Sequence, residues 1–461
     1  MATIEITDIT FSQKSAILNI QEDHFRDVKS IEIKPNKLSK TISAFANTVG
    51  GELYIGVNED NEKKNKFWGG FDNVESANGH LQAFDELFPL GSDFKYSFLR
   101  SPDSLKLVLQ VTILKTREIV RSSDGIPYIR RGAQSLPVNS EEALKRLQLD
   151  KGIASFEENT VSVPLDMVTN SLSIFEFMVD IVPTNEPEIW LRKQLLIRQD
   201  LPTVASVLLF SDTPQAALPK QSGIKIYRYR TKEAEGDREN LVFLPKSIEG
   251  NLYQQIYEAV KVTTEIIEDI TIITGEGSKK VTYPNETLHE IITNAVLHRD
   301  YSIASDIHIR IFDNRIEIES PGKLPGHVTT KNILKEQFAR NGSLVRIINK
   351  FPNPPNKDVG EGLNTAFDAM KKLKLKDPII EEKENTVIVF IKHESLESPE
   401  EIIISYLKDH PTIKNSVARE ITGVNSENKI KNIFYSLRNK GHIIATPNTK
   451  GSAMTWQLSI E

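Results

Sequence analysis

The segment at residues 288–301, LHEIITNAVLHRDY, constrains the fold strongly because it has a clear helical repeat. Its apolar residues recur at the spacing that gives a helix one buried stripe: Leu288, Ile291, Ile292, Ala295 and Val296. Along another edge, Glu290, Asn294 and His298 follow one another at intervals of four residues. The segment therefore predicts a helix packed on a core, with a polar edge that differs from the Lys and Glu pattern of a solvated face.

The size and composition of the chain exclude several classes of protein. Its 461 residues predict roughly three or four units of ordinary domain size. No apolar run approaches the roughly 18 residues that span a bilayer, so no membrane partner is expected. The chain has no cysteine, which excludes disulfides and cysteine-based metal sites. Together with an N-terminus that lacks a secretory pattern, this favours a cytoplasmic location.

Hydrophobic periodicity and turn signals predict an α+β multidomain protein with four regions. Residues 1–150 are expected to form an α+β domain and residues 151–280 a connecting α/β domain. Residues 281–395 contain the helix predicted at residues 288–301, a hairpin with Asp-Asn at its turn, a loop-rich stretch, a second helix and a last strand. Residues 396–461 contain three helical segments and a hairpin.

Residues 281–395 carry groups suited to a nucleoside triphosphate, although the chain has no GxxxxGK[ST] motif. Binding without that motif requires a metal ligand, a group that activates water and free backbone N–H groups. Glu290 and Asn294 lie one helical turn apart, and Gly360 and Gly362 precede another helix, where a phosphate can approach the backbone closely. The missing motif also argues against a translocating motor.

Four ordered blocks, LHEIITNAVLHRDY, IEIESPGKLPG, ARNGSLVRIIN and GEGLNTAF, resemble the C-terminal ATPase-type domain of the RecG-like transcriptional-regulator family. This family is a branch of the GHKL (histidine-kinase-like, or Bergerat) α/β sandwich fold. The resemblance implies ATP and Mg²⁺ as cofactors, with Asn294 binding the metal ion and Glu290 activating the attacking water. It also implies that Gly360 and Gly362 close over the phosphates. Whether the ATP is hydrolysed or only bound is left open.

The sequence departs from this family at the motif that reads the base. The GHKL fold usually has D-x-G-x-G after its second strand, with the Asp binding the adenine amino group. This chain has ESPGKLPG at the equivalent place. Gly322 is kept, whereas the Asp is replaced by Ser320 or its role passes to Glu319.

A long segment from Lys323 to Val359 is expected to form the lid of the nucleotide site. Within it, Arg340 and Asn341 are the candidates to face the phosphates. The HRDY run at residues 298–301 is typical of this branch of the fold, but its spacing assigns no role to His298. The alternative is that the polar edge is merely solvated, which would make the module a structural or dimerisation element.

A second resemblance lies in the N-terminal region. SAFANTVGGELYIGVNED and YIRRGAQS resemble the Schlafen-type AlbA domain, over about residues 15–150. Members of that family bind DNA or RNA, and the resemblance implies the same here, with DNA favoured over RNA. Arg130 and Arg131 are candidates to contact phosphates. Because side chains alternate along a strand, only one of the two is expected to serve a shared surface.

A metal-dependent nuclease with an ATP switch, for example in defence against phage, is the alternative function. Glu22 and Asp27 keep an E-x-x-x-x-[ED] spacing directly before Lys29, and Glu59 or Asp60 follows the GG strand. Three carboxylates around Mg²⁺ or Mn²⁺ suit phosphodiester cleavage. The competing interpretation is that these carboxylates are solvated or paired with lysines.

Residues 396–461 follow the order of a winged helix-turn-helix: helix, turn, second helix and hairpin. The second helix is predicted to bury a stripe that includes Ile430 and Phe434. It carries four basic residues that are candidates to contact nucleic acid: Lys429, Lys431, Arg438 and Lys440. A winged helix that serves protein contacts is the alternative.

These patterns together predict an ATP-binding, nucleic-acid-binding regulatory protein whose nucleotide state controls its engagement of DNA. Transcription regulation is the expected process and a homodimer the expected assembly. A weak Mg²⁺-dependent ATPase, with Glu290 as its catalytic residue, is the enzymatic activity that fits best. The net charge of −6 gives no general attraction to nucleic acid, so binding must come from local basic patches.

Overall fold

The structure is a computed structural model that describes residues 6–60, 65–89, 91–218, 221–274, 277–355, 362–373, 375–393, 399–424, 426–447 and 454–459. The chain divides into two compact units. The first unit comprises Met1–Phe156 and Leu324–Asn341, and the second comprises Glu157–Lys323 and Gly342–Glu461. The expected mixed α+β architecture is confirmed. Within the described residues, no helix has the length and apolar character that crossing a bilayer requires.

The helices and strands of the first unit all come from its N-terminal part. In chain order they are β1 (Ile6–Asp8), α1 (Phe11–Leu18), β2 (Arg26–Lys29), α2 (Pro35–Ala46), β3 (Gly51–Ile55), β4 (Val57–Asp60), β5 (Asn65–Trp68), α3 (Asn78–Leu87), β6 (Phe94–Arg100), β7 (Leu107–Ile113), β8 (Tyr128–Arg131), β9 (Gln134–Pro137) and α4 (Glu141–Asp150). Five strands form the main sheet, in the order β1-β6-β7-β3-β2, while β4–β5 and β8–β9 are separate hairpins.

Helix α2 supplies the centre of the first core. Its Leu38, Ile42 and Phe45 recur at helical spacing and are fully buried with the inward residues of β3 and β7. The alternation of β3 sends Leu53 to this core and Tyr54 to a smaller core on the other face, which also contains residues of α1. The main sheet is therefore covered on both faces.

The AFANTVGG segment joins α2 to its neighbours. The Asn47 amide donates to the carbonyl oxygens of Val120 and Tyr128, at 2.7 and 2.9 Å, and accepts the Val120 N–H at 2.9 Å. A Cβ on Gly51 would lie 2.5 Å from the Phe45 ring, so only glycine permits this approach. The motif that carried the family resemblance therefore has a direct structural role.

A buried ion pair connects β2 to the β8–β9 hairpin. Arg130 Nη1 lies 2.7 Å from Asp27 Oδ2, and both side chains are 1% exposed. The guanidinium also donates to the Asp23 carbonyl oxygen, at 3.0 and 3.1 Å, and lies 4.8 Å from the centre of the Phe45 ring. Two charges can be held out of water here because each has a close partner and further polar contacts.

Residues 324–341, which follow Lys323 of the second unit in the sequence, are an integral part of the first unit. The buried Lys115 amine donates to the Leu324 carbonyl oxygen at 2.7 Å. The Phe338 ring lies so close to Gly152 that a Cβ there would meet it at 2.3 Å. The first unit is therefore discontinuous in sequence.

The second unit contains the remaining elements. In chain order they are α5 (Asp166–Thr169), α6 (Leu172–Ile181), α7 (Pro187–Lys193), β10 (Ile197–Arg198), β11 (Leu201–Pro202), α8 (Val204–Phe210), α9 (Pro214–Ala217), β12 (Ile224–Arg228), β13 (Lys246–Ile248), α10 (Leu252–Glu268), β14 (Thr271–Thr274), β15 (Gly277–Lys280), α11 (Asn285–His298), β16 (Ile307–Ile311), β17 (Arg315–Pro321), α12 (Gly342–Ile348), α13 (Gly362–Lys372), β18 (Ile379–Glu382), β19 (Thr386–Lys392), α14 (Pro399–Asp409), β20 (Ile413–Lys414), α15 (Asn415–Thr422), α16 (Glu427–Asn439), β21 (Ile443–Ala445) and β22 (Thr455–Leu458).

Its main sheet has six strands in the order β13-β12-β16-β17-β19-β18. Strands β12 and β16 are parallel, and the other neighbours are antiparallel. Helices α10 and α11 pack against each other and against this sheet. The expected hairpin with Asp-Asn at its turn is β16–β17. Because β12 and β13 belong to the same sheet as β16, the sheet crosses the boundary expected after residue 280, and the division into four regions stays a prediction.

The C-terminal elements α14–α16 and β20–β22 share a separate core. As predicted, α16 buries Ile430 and Phe434, and the Trp456 ring stacks on Phe434 with 5.3 Å between centroids. The three strands pair in the order β20-β22-β21. Helix α16 begins at Glu427, so its first turn carries an acidic residue ahead of its basic residues.

We expect replacement of Arg130 by Ala to destabilise the first unit by about 3–5 kcal/mol, because the buried Asp27 carboxylate loses the buried one of its two cationic partners and keeps only Lys29. Hydrogen exchange of peptides that cover β2 and β8, together with urea unfolding, measures this loss.

The matched control is Arg100→Ala, which removes an exposed ion pair with Asp8 on the same sheet. We expect it to change exchange and unfolding little, because solvent screens such pairs. Equal effects of the two substitutions would contradict the role given to the buried pair.

Candidate functional site

Helix α11 presents the predicted polar edge as the sequence indicated. Its apolar residues Leu288, Ile291 and Ile292 are at most 1% exposed, which fixes the rotation of the helix about its axis. Glu290 and Asn294 are half-buried on another edge, where Asn294 Nδ2 donates to Glu290 Oε1 at 2.7 Å. The carboxamide nitrogen is thus used within the protein, and its oxygen is the atom suited to a hard cation.

The start of α13 lies directly against this pair. A Cβ on Gly362 would lie 2.5 Å from Glu290 Oε1, so any side chain there would displace the carboxylate. The two helices are also joined by Thr287, whose hydroxyl donates to the Ala366 carbonyl oxygen at 3.0 Å. Two sequence blocks about seventy residues apart therefore meet. Gly360 falls outside the described residues.

Burial changes the electrostatics of Glu290. It raises the pKa of the carboxyl above its ordinary value, and the hydrogen bond from Asn294 opposes part of that rise. A buried carboxylate with a raised pKa accepts a proton more readily than an exposed carboxylate does. Groups with such shifted pKa values are enriched at functional sites.

The two candidates for the base-reading position lie on opposite faces of the sheet. On β17, Ile316 and Ile318 are buried, and Ser320 continues that face with its hydroxyl donating to Ala295 of α11 at 2.9 Å. Glu319 alternates to the opposite face, where it pairs with Arg310 at 2.6 Å. Ser320 therefore lies on the same face of the sheet as α11 and Glu319 lies on the other, while the base-reading role of either residue stays a prediction.

Gly322 makes a turn that the sequence did not connect to the HRDY run. Its φ of +108° favours glycine, and a Cβ there would lie 2.7 Å from Asp300 Cβ. The Asp300 N–H donates to the Pro321 carbonyl oxygen at 2.8 Å. The glycine of ESPG and the aspartate of HRDY are thus parts of one tight contact, which only the fold reveals.

The rest of the HRDY run holds the end of α11 in place. Arg299 is 1% exposed and donates to the Gln221 carbonyl oxygen at 3.0 Å, while its guanidinium lies over the Tyr301 ring. The Tyr301 hydroxyl donates to the Val296 carbonyl oxygen at 3.0 Å. Arg299 and Tyr301 therefore have structural roles. His298, the last residue of α11, is half-buried and stays unassigned.

The two lid candidates are not part of the unit that contains the α11 pair. Arg340 and Asn341 belong to the first unit, whereas Glu290 and Asn294 belong to the second. Both lid residues are buried, and Arg340 Nη1 donates to the Leu149 carbonyl oxygen at 2.7 Å. Their contact with the phosphates stays a prediction.

The paired arginines of β8 separate as the alternation predicted. Arg131 is exposed, whereas Arg130 is buried in its ion pair with Asp27. Arg130 is therefore not available to a phosphate, and its assignment to a nucleic-acid surface is wrong. The sequence could not distinguish the two, because the partner that buries Arg130 lies about a hundred residues away.

Two protein-family models match parts of the chain. The model described as "Schlafen, AlbA_2" matches residues 22–139, and the model described as "Putative ATP-dependent DNA helicase recG C-terminal" matches residues 304–391. The chain thus combines an AlbA-type domain with an ATPase-like domain. This confirms the architecture that the sequence suggested, and it indicates nucleic-acid binding by the first domain and ATP binding by the second. Glu290 and Asn294 precede the matched range, so their assignment rests on the geometry of α11.

Two further comparisons add no argument about function. The crystal structure of the DIP2311 protein from Corynebacterium diphtheriae is similar at 17% identity over 97% of this chain and 96% of its own, with a TM-score of 0.41. A score of this size does not establish a shared fold. No curated protein matches the sequence significantly.

Of the four acids of the nuclease alternative, the three whose side chains are described are not placed to hold one metal ion: Glu22, Asp27 and Glu59. Glu22 and Asp27 both pair with Lys29, while Glu59 is exposed on the β4–β5 hairpin. The side chain of Asp60 is outside the described residues. In the described part of the chain, no group of three acidic or histidine residues is placed to hold a metal ion. The pairing of Glu22 and Asp27 with Lys29 agrees with the competing interpretation, in which these carboxylates are paired with lysines.

The basic residues of the C-terminal region remain candidates for nucleic-acid binding. All four are exposed on α16 or directly after it, namely Lys429, Lys431, Arg438 and Lys440. By helical spacing, Lys431 and Arg438 flank the buried stripe on one side and Lys429 flanks it on the other.

We expect Glu290→Gln to stabilise the protein at neutral pH. Since the folded-state pKa of Glu290 is raised above the ordinary 4.5, the folded state disfavours the ionised form, and this cost is present above the folded pKa. Below about 4.5 the carboxyl is protonated in both states, so the cost disappears. Thermal unfolding of both proteins between acid and neutral pH measures the difference.

Glu286→Gln is the control, because Glu286 is exposed on the same helix. It should give no stabilisation at neutral pH. A Glu290→Gln protein that is less stable than the original at pH 7, or whose advantage does not shrink on acidification, would show that the carboxylate is not held against a desolvation cost.

Proposed function

We propose that this protein is a nucleotide-responsive nucleic-acid-binding regulator. The ATPase-like domain binds Mg²⁺-ATP, and its nucleotide state changes how strongly the AlbA-type domain engages DNA. The observation that carries the proposal is the Glu290–Asn294 pair, hydrogen-bonded at 2.7 Å, with Gly362 of α13 so near that a Cβ there would lie 2.5 Å from the carboxylate.

The residues of this site fit Mg²⁺ and ATP as cofactors. Mg²⁺ prefers oxygen ligands, and the Asn294 carboxamide oxygen is one because its nitrogen already donates to Glu290. Gly362 leaves the backbone at the start of α13 accessible beside them. When bound, Mg²⁺ neutralises phosphate charge. Glu290, with its raised pKa, accepts a proton from an attacking water, so slow ATP hydrolysis belongs to the proposal.

The base contact differs from that of most GHKL proteins. Ser320 takes the place of the usual aspartate, and its hydroxyl already donates to Ala295. A single hydroxyl reads the adenine amino group less strongly than a carboxylate, which supports weaker discrimination among nucleoside triphosphates.

Nucleic-acid binding is assigned to the AlbA-type domain, with DNA preferred over RNA. The C-terminal region, proposed as a winged helix, adds the exposed basic residues of α16 as a second contact. A homodimer would pair two such regions, which suits a role in transcription regulation in the cytoplasm.

We expect Asn294→Ala to weaken Mg²⁺-ATP binding by at least about tenfold, since the metal ion loses its protein ligand. Calorimetry of the full chain at millimolar Mg²⁺ measures this. The DNA affinity of the original protein should change when ATP is added, and the DNA affinity of the variant should not.

Asn285→Ala is the matched control, because Asn285 is an exposed residue of the same type at the start of the same helix. It should bind ATP as the original protein does. If the original protein binds no adenine nucleotide, or if its DNA affinity is the same with and without ATP, the proposed regulation is refuted.

A further inference from the structure

A basic cleft in the first unit takes no part in the nucleotide site. It is a cavity of about 540 Å³ between the start of α2 and the β8–β9 hairpin. Its lining includes four lysines and two hydroxyl groups: Lys29, Lys34, Lys37, Lys40, Tyr128 and Ser135. We refer to it as the lysine cleft.

Two of the four lysines are balanced by carboxylates. Lys29 pairs with Asp27 and Glu22, and Lys40 Nζ lies 3.0 Å from Asp124 Oδ2. Lys40 also lies over the ring of Tyr128, 5.2 Å from its centroid. These contacts hold the inner part of the cleft in a defined shape.

The other two lysines carry the unbalanced charge. Lys34 and Lys37 are exposed, and within the part of the chain that the structure describes neither forms an ion pair. Of the described residues that line the cleft, the one carboxylate is Glu32. In a chain of net charge −6, the cleft is therefore a local positive patch.

The lysines form a row. Lys37 and Lys40 lie three residues apart on α2, about 5–6 Å apart at their Cβ atoms, and Lys34 is the N-cap residue directly before the helix. The opposite side of α2 is fixed by its buried Leu38 and Ile42. The row is therefore held on a rigid element, facing the hydroxyl groups of the hairpin.

We propose that the lysine cleft holds the phosphate backbone of DNA, with Lys34 and Lys37 as the contacting residues. This inference rests on the proposed function, since it names the surface by which the AlbA-type domain binds nucleic acid. Lysine contacts to phosphate are independent of base sequence, so the cleft positions the strand and does not read it. Arg130 does not contact the DNA. It contributes indirectly, because its ion pair with Asp27 fixes the position of the β8–β9 hairpin.

Fluorescence anisotropy with two short DNA duplexes of unrelated sequence, over a series of salt concentrations, tests the proposal. Lys34→Ala and Lys37→Ala should each weaken binding about threefold, equally for both duplexes. Each should lower the slope of log affinity against log salt by about one. Lys34→Arg keeps the charge and should bind as the original protein does.

Two controls separate a local contact from a general loss of charge. Lys95→Ala removes an exposed lysine of β6, outside the cleft, and should leave affinity and slope unchanged. Glu32→Gln removes the carboxylate of the cleft and should tighten binding about twofold. A gain of affinity is not an outcome that misfolding produces.

The assignment is overturned if the Lys34→Ala and Lys37→Ala double variant keeps the original affinity and salt slope. It is also overturned if the cleft variants weaken binding of a matched RNA while DNA binding is unaffected. DNA binding that depends on the cleft but does not respond to ATP would refute the proposed regulation and leave the cleft assignment standing. An original protein that binds neither duplex at low salt would refute both.

Discussion

The buried ion pair between Asp27 and Arg130 is the contact on which the arrangement of the first unit depends. Two charges that are 1% exposed are stable only as a matched pair, so they fix the position of the β8–β9 hairpin against β2. Lys29 at the end of β2 and Tyr128 on the hairpin then form opposite sides of one cleft. The basic surface is thus shaped by an arginine that does not reach solvent.

In the second unit, hydrophobic burial fixes the orientation of helix α11. The apolar stripe of α11 fixes the rotation of that helix, and the rotation decides that Glu290 and Asn294 face the start of α13. This arrangement lowers the stability of the folded state at neutral pH, because burial raises the pKa of the Glu290 carboxyl. A residue that lowers stability yet is held in place by its surroundings is characteristic of a functional site.

Local patterns allowed much of this to be predicted. The stripe of α11, the hairpin from Ile307 to Pro321 and the alternation of Arg130 with Arg131 each follow from spacing of 3.6 or 2 residues. What escaped prediction depends on partners far away in sequence. The spacing cannot show that Asp27 buries Arg130, or that β12 pairs with β16, because neither contact leaves a local periodic signal.

The discontinuity of the first unit has a consequence for the order of folding during synthesis. N-terminal domains generally fold as soon as they leave the ribosome. Here the Lys115 amine finds its acceptor on Leu324, and Phe338 completes the packing at Gly152, only after most of the chain has been made. The first unit is therefore complete only after residues 157–323 of the second unit have been synthesised, and a fragment that ends at residue 156 lacks part of its own domain.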